Sequence, residues 1–460
     1  MNRLKRPSVW IPAIALIVYI FTLFCFPAFV RDNGEIFRFL TQWKMYRVGE
    51  LSYGFDAGFS MLDTMPFSAA KLLFAGVLYL WHGLLGLEIF DIRILSLVYV
   101  AFSVFGLWLI GRNLNLRTGL ANLIAGILVL LSAVSYGFFS YFNTFYIEGA
   151  AMPLLLVALG ALLEFAHKKS VWSLLVFALF SASFTTLGPV AALMALFFVF
   201  ACVRLAFLPV GWKRVLLITV ALLLVVSAYV GFSARTEEQY RQDLYNSFFF
   251  GALTATDDVE SALTETDLPE ELLSFANRPY FEVATELEQD LSEFGFGYGR
   301  LAEYYIDHLD EFWPVLKQVG NNVYETSISY LRSFDERVSP QRILSAPTRW
   351  FETVQLRFLP RGFLVWLIYA AVMILLCIVR RKSLLKDEDK VVSDCVAVFS
   401  VMPVLSLVAT AFLFGLAEIS KQLFYTNLVF GAFFVFLVSY AAEFIILRRN
   451  RLRDEYGVNQ

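Results

Sequence analysis

Three carboxylates stand where an otherwise apolar chain has little physical reason to keep them. Asp32 and Glu35 lie in the run Asp32-Asn33-Gly34-Glu35 directly after a first apolar stretch, and Glu148 begins another. An ionised side chain inside a hydrocarbon slab costs about 2.5–3.5 kcal/mol on insertion scales, so a retained acid points to a site or a cavity. Asp32 and Glu35 are three apart, and one helical turn would set both on the same side. Glu148 would enter from a different loop. Converging carboxylates could hold a divalent cation, magnesium or manganese, by oxygen ligation, or one could take a proton from an incoming hydroxyl as general base. A structural role competes with both: acids at a helix start cap free N–H groups and meet the positive end of the dipole.

Basic residues near the same ends are few, and each is a candidate for a phosphate. They are Arg38, Lys71, Arg300, Arg361 and Lys421. Arginine suits bidentate phosphate contact and lysine a point-charge contact, while a lone cation at a span end also serves simply by snorkelling to the interface. Tyr141, Phe142, Phe145 and Tyr146 precede Glu148. Their flat faces suit pyranose rings, but an aromatic belt at the membrane surface is the plainer expectation for most of them. Asn143 and Tyr146 are the best of this group for hydrogen bonding to a substrate.

These residues need elements to hold them, and the composition says which. The 460 residues are 58% hydrophobic with 47 phenylalanines, and the mean hydropathy is +0.65. That is the balance of an all-α polytopic membrane protein. A net charge of only −3 gives no reason to expect a nucleic-acid partner. Four cysteines and three histidines are too scattered for a disulfide framework or a histidine-based metal centre. Apolar runs of about 20 residues, the length that spans a bilayer, fall at 9–30, 92–111, 118–138, 149–166, 171–187, 189–208, 213–232, 361–380, 391–416 and 422–447. Every second junction is basic: Arg112 and Arg117, Lys168 and Lys169, Arg204 with Lys213 and Arg214, Arg380 to Lys386, and Arg448 to Arg453. By the rule that cytosolic loops carry the Lys and Arg excess, ten spans put both termini in the cytosol. The segment 66–87 is apolar enough to span, but counting it would invert every later loop. It is therefore expected to lie along the membrane or re-enter, with an amphipathic stretch from Ile36 to Arg47 as a second interface helix.

The expected organisation is a transmembrane module over 1–232 with a first outer loop at 31–91, a helical extracytoplasmic insertion over 233–360, and a last module over 361–460. The insertion carries 13 more acidic than basic residues, as an exposed, non-cytosolic surface would. Its helices should begin at Thr236-Glu237-Glu238, at Asp257-Asp258 and at Leu268-Pro269-Glu270-Glu271, and after the glycine-alternating run 295–299.

An acid after the first span, interface elements in the first outer loop, a second acid after the third span and a late soluble insertion together resemble the GT-C superfamily of polyprenyl-phosphate-dependent glycosyltransferases. Within it, Asp32-Asn33-Gly34-Glu35, the run Tyr141 to Glu148, Phe250-Gly251-Ala252-Leu253, Asn277-Arg278-Pro279-Tyr280 and Tyr304-Tyr305-Ile306-Asp307-His308 resemble the bacterial hexose transferases of surface-glycan assembly. The resemblance implies transfer of a hexose from a lipid-phosphate donor to a glycan or lipid-linked acceptor on the outer face of the cell membrane, usually with inversion. It implies Asp32 as catalytic acid-base residue, Glu148 as the second acid with Glu35 nearby, and His308 among the substrate-binding residues. No second DxD-like pair accompanies Glu148, so the resemblance does not carry over a tightly bound metal. A different class with the same acids is a non-catalytic transporter or flippase of lipid-linked precursors. Such proteins show inverted repeats with matched broken spans, and no such halves are found here.

Overall fold

The computed structural model describes residues 7–25, 40–49, 51–60, 68–208, 210–233, 235–287, 291–326 and 350–455. Asp32, Glu35 and Arg38 lie outside the described residues. Nine helices among the described residues are long and apolar enough to cross a membrane: Pro7–Phe24, Arg93–Asn113, Gly119–Asn143, Glu148–Lys168, Pro189–Ala206, Lys213–Ser233, Phe363–Lys382, Asp387–Phe414 and Phe424–Asn450. The protein is thus an all-helical polytopic membrane protein in nearly all of its length. The expected span at 171–187 is a helix of 15 residues, Val171–Thr185, below the roughly 20 that a full crossing takes. It stops because Pro189 opens the next helix, and a proline lacks the N–H that a continuous helix would require there. The span at 391–416 begins earlier, with three acids in its first turn, and is interrupted between Phe399 and Met402.

Glu148–Lys168 is the axis of the bundle, with 89% of its membrane window buried against protein. Small residues allow this. A Cβ on Gly160 would lie 2.7 Å from Leu109 Cβ and 3.0 Å from the Gly106 carbonyl, and one on Gly106 would lie 2.7 Å from the Leu156 and Val157 backbone. Arg93–Asn113 therefore crosses Glu148–Lys168 backbone to backbone, as small-residue faces permit in lipid, where no hydrophobic force distinguishes one apolar surface from another.

The first outer loop departs from expectation. Part of the stretch read as an amphipathic helix is strand β1 (Met45–Arg47), which pairs antiparallel with β2 (Ser52–Phe55), and β2 pairs antiparallel with β3 (Ile89–Asp91). The register sets Tyr53 opposite Phe90, and both rings are buried. A period of two, too short to outweigh the helical pattern around it, puts alternate side chains on the protein. Between β2 and β3 runs the helix Ala69–Tyr79, continued by a wider turn to Leu84. The 16 residues from Ala69 to Leu84 fall short of a crossing. The N-cap Ser68 accepts from the Lys71 N–H, and the Ala69 N–H donates to Thr186 Oγ1 at 2.9 Å, so the helix starts against the end of Val171–Thr185.

The segment between the two transmembrane groups has its own small core of Leu244, Phe248, Phe249, Leu263, Phe296, Leu301 and Tyr304. Its helices start where the caps predict. Thr236 forms a capping box with Gln239 for Glu237–Phe249, Asp258 caps Val259–Glu265, and Gly297 precedes Tyr298–Asp307. Bonds from Tyr298 Oη to the Leu413 carbonyl at 2.9 Å and from the Leu416 N–H to the Phe250 carbonyl at 3.2 Å seat it on the end of Met402–Phe414.

Junctions that the basic alternation assigns to one side meet at one end of the bundle. Lys169 pairs with Glu388 at 2.8 Å and Arg381 with Asp394 at 2.8 Å. Arg204 also pairs with Asp394. Arg380 pairs with Glu443 at 2.7 Å, and the Arg117 N–H donates to the same carboxylate at 2.6 Å.

Candidate functional site

Glu148 is the first residue of its helix and is buried. The chain reaches it through two short turns. Tyr136–Phe139 and Ser140–Asn143 wind tightly, then Thr144 Oγ1 donates to the Tyr141 carbonyl at 2.8 Å and accepts from the Tyr146 N–H at 3.2 Å. The aromatic residues of this run do not form the expected belt. Tyr141, Phe142, Phe145 and Tyr146 are each at most 2% exposed, because the run is a plug between helices and not a rim facing lipid. Phe145 sits at its centre. Its ring lies 5.0 Å from Tyr53, 5.6 Å from Trp43, 5.9 Å from Phe74 and 6.2 Å from Phe90, so the sheet and the Ala69–Tyr79 helix are fastened to the turn that carries Glu148.

Two phenols flank the carboxylate. Tyr99 and Tyr425 each interact electrostatically with Glu148, and the hydroxyl of each is buried without a hydrogen bond to any described residue. Tyr99 gets there because its neighbour is a glycine: a Cβ on Gly149 would lie 3.2 Å from the Tyr99 ring and 2.7 Å from the Tyr141 carbonyl. Tyr425 is held through Phe184 at 6.4 Å and Phe424 at 5.6 Å. Asn143 accepts from Ser96 Oγ on its Oδ1, while its Nδ2 is buried and bonds no described residue. Lys421, 8% exposed, places its Nζ 5.7 Å from the centre of the Tyr146 ring and 3.9 Å from a Glu418 oxygen. An unmade hydrogen bond on a buried polar group costs about 1–3 kcal/mol. Three such donors, two on phenols that act on Glu148 and one on the turn leading to it, are groups ready for an oxygen-rich guest.

Of the candidates read from the sequence, the structure brings together Glu148, Asn143, Tyr146 and Lys421. Lys71 lies one turn before Phe74 on the helix fastened to Phe145, and burial pushes its ammonium down to about 8. Arg300 and His308 sit on the insertion. There Arg300 donates to Asp267 at 2.6 Å, and His308 pairs with Glu265 at 2.7 Å while stacking on Tyr304. Arg361 reaches Glu325 at 3.4 Å. Tyr99 and Tyr425 were not singled out by sequence reasoning. Their only signal is a hydroxyl inside an apolar span, one of 21 tyrosines. Among the described residues no group of three His, Cys, Asp or Glu side chains gathers.

A multi-pass helical membrane protein with a buried acid at a helix start, framed by hydroxyl and amide donors, is the class that fold and site define. The chain belongs to the YfdI family: the model of the YfdI N-terminal transmembrane domain matches residues 2–458. Neither curated proteins nor solved structures gave a match.

Proposed function

We propose that this protein transfers a hexose from a polyprenyl-phosphate donor to a glycan or lipid-linked acceptor, at the end of the bundle that carries Glu148 and on the outer face of the membrane. One observation carries the reading. A buried carboxylate interacts with Tyr99 and Tyr425, Asn143 stands five residues before it on the same turn, and the donors of all three bond no described residue; sugar hydroxyls are what such groups recognise in a closed site.

The chemistry asks for three things. The acceptor hydroxyl must lose its proton as its oxygen bonds to the anomeric carbon; the bond from that carbon to the phosphate oxygen must break; and the departing lipid phosphate must be met by positive charge. Asp32 is the proposed base, as the resemblance implies, with Glu35 beside it. Glu148 is proposed to orient the sugar through its hydroxyls. Lys421 and Lys71 are proposed to meet the phosphate, in place of Arg300, whose guanidinium is engaged with Asp267. An attack in line with the leaving phosphate inverts the anomeric centre.

Family membership supports a glycosyltransferase over a flippase. The test is release of lipid phosphate from a synthetic polyprenyl-phosphate hexose by the purified protein. Removing a general base costs about 10²–10⁴-fold, so Asp32→Asn should fall by that range and Glu148→Gln by at least tenfold. Full turnover in both variants would rule the reading out.

A further inference from the structure

A second cavity begins one helical turn past Glu148 and extends toward the opposite end of its helix. It runs along the Glu148–Lys168 helix from Met152 to His167, fifteen residues or about 22 Å at the helical rise. Its volume is about 120 Å³. At the ~10–15 Å³ that one water-sized group needs, that accommodates roughly ten methylene-sized groups in file. The walls are graded. Around Met152, Ala133 and Leu428 they are nearly all hydrocarbon, and at the other end Asn113, Arg380 and Tyr440, with the His167–Asp389 pair, form a polar mouth.

Arg380 is nine-tenths buried and only partly engaged. Its Nε–H donates to Glu443 at 2.7 Å and one Nη1–H to the Tyr440 hydroxyl at 3.4 Å. A guanidinium has five N–H donors, so three bond no described residue, and the Asp389 carboxylate of the same lining acts on the charge. A dry tunnel ending in a guanidinium matches a lipid, with a chain in the tunnel and a phosphate on Arg380. The charge around the mouth selects among lipids. This is the end where Arg112, Arg117, Lys168, Lys169, Arg381 and Lys382 collect, four of them paired with Glu164, Glu388 or Asp394, and basic pockets between membrane helices favour anionic headgroups.

We propose that this cavity is a binding site for one anionic glycerophospholipid, its phosphodiester on Arg380 and one acyl chain between the 119–133, 148–168 and 424–455 helices. The site is independent of the proposed glycosyl transfer.

The experiment uses the full chain in detergent, with palmitoyl-oleoyl phosphatidylglycerol or phosphatidylcholine added, and counts retained lipid by native mass spectrometry alongside the melting midpoint. The wild type should retain one phosphatidylglycerol with at least tenfold preference over phosphatidylcholine, and melt higher with it. Ala432→Phe fills the tunnel and leaves the mouth intact; Arg380→Gln with Glu443→Gln removes the phosphate contact without stranding a buried acid. Both should lose the retained lipid and its thermal shift, whereas Lys382→Gln, a charge at the same end outside the cavity, should keep them. Ala125→Leu, a milder filler, stands in should Ala432→Phe fail to fold. Equal retention of both lipids, retention unchanged in the filled variants, or an equal loss in Lys382→Gln would overturn the proposal. So would one-for-one displacement by polyprenyl phosphate, which would make the tunnel a donor site.

Discussion

The hydroxyls of Tyr99 and Tyr425 set up an opposition between stability and activity that few residues in an ordinary core would show. Each is buried and bonds no described residue, so the folded protein carries part of the ~1–3 kcal/mol penalty of an unmade hydrogen bond. Replacing either tyrosine with phenylalanine keeps the ring contacts to Phe142 at 5.3 Å or Phe184 at 6.4 Å and removes only the oxygen. The melting midpoint should therefore hold or rise by a few degrees. Turnover should move the other way. A neutral hydrogen bond to a sugar hydroxyl contributes about 0.5–1.5 kcal/mol, which at about 1.36 kcal/mol per decade corresponds to a two- to thirteenfold loss in kcat/KM. Because both phenols interact with the same carboxylate, the double variant should lose less than the product of the single losses. The assay is lipid-phosphate release beside a thermal melt of the same preparation. If both substitutions lower the midpoint while release stays at the wild-type rate, the hydroxyls are structural and the sugar-site reasoning fails.

Four further outcomes follow from the geometry. Gly160→Leu should destabilise by about 1–3 kcal/mol or more, read as a lower melting midpoint, since even a Cβ there would lie 2.7 Å from Leu109. Burial holds the Lys71 ammonium near 8, and its charge is lost as pH rises through that value. The donor KM should therefore climb between about pH 7 and 9 in the wild type and stay flat in Lys71→Arg, whose guanidinium does not titrate there; identical profiles would remove Lys71 from the phosphate site. Arg380→Gln alone should cost about 3–5 kcal/mol by stranding the buried Glu443, and adding Glu443→Gln should recover most of it, as measured by thermal or denaturant melts. Arg300→Ala should change stability by less than about 1 kcal/mol, because its pair with Asp267 is exposed, and should leave release within about twofold; a loss of tenfold or more would return the phosphate role to Arg300.

The spans were readable because length and apolarity decide them. The helix starts in the insertion were readable because capping is local, as Thr236 with Gln239 and Asp258 with Ser261 show. What escaped depended on partners distant in sequence. Met45–Arg47 is too short to announce a strand, and only its pairing with Ser52–Phe55 makes it one. Phe142 and Phe145 look like interface aromatics in any window of the chain, and only the helices closing around them make them interior. Tyr99 and Tyr425 are separated by more than three hundred positions, and no periodicity links them to Glu148. Glu148 itself was legible, because an acid opening an apolar helix stands out whatever surrounds it.

The ring of Phe145 joins two stretches of chain that function would otherwise leave free to diverge. Since the sheet, the Ala69–Tyr79 helix and the turn before Glu148 all bear on one side chain, they can only be displaced as a unit. Transplanting the first outer loop from a relative to alter sugar preference would leave that ring among foreign neighbours. A working chimera has to carry residues 141–148 across together with the loop.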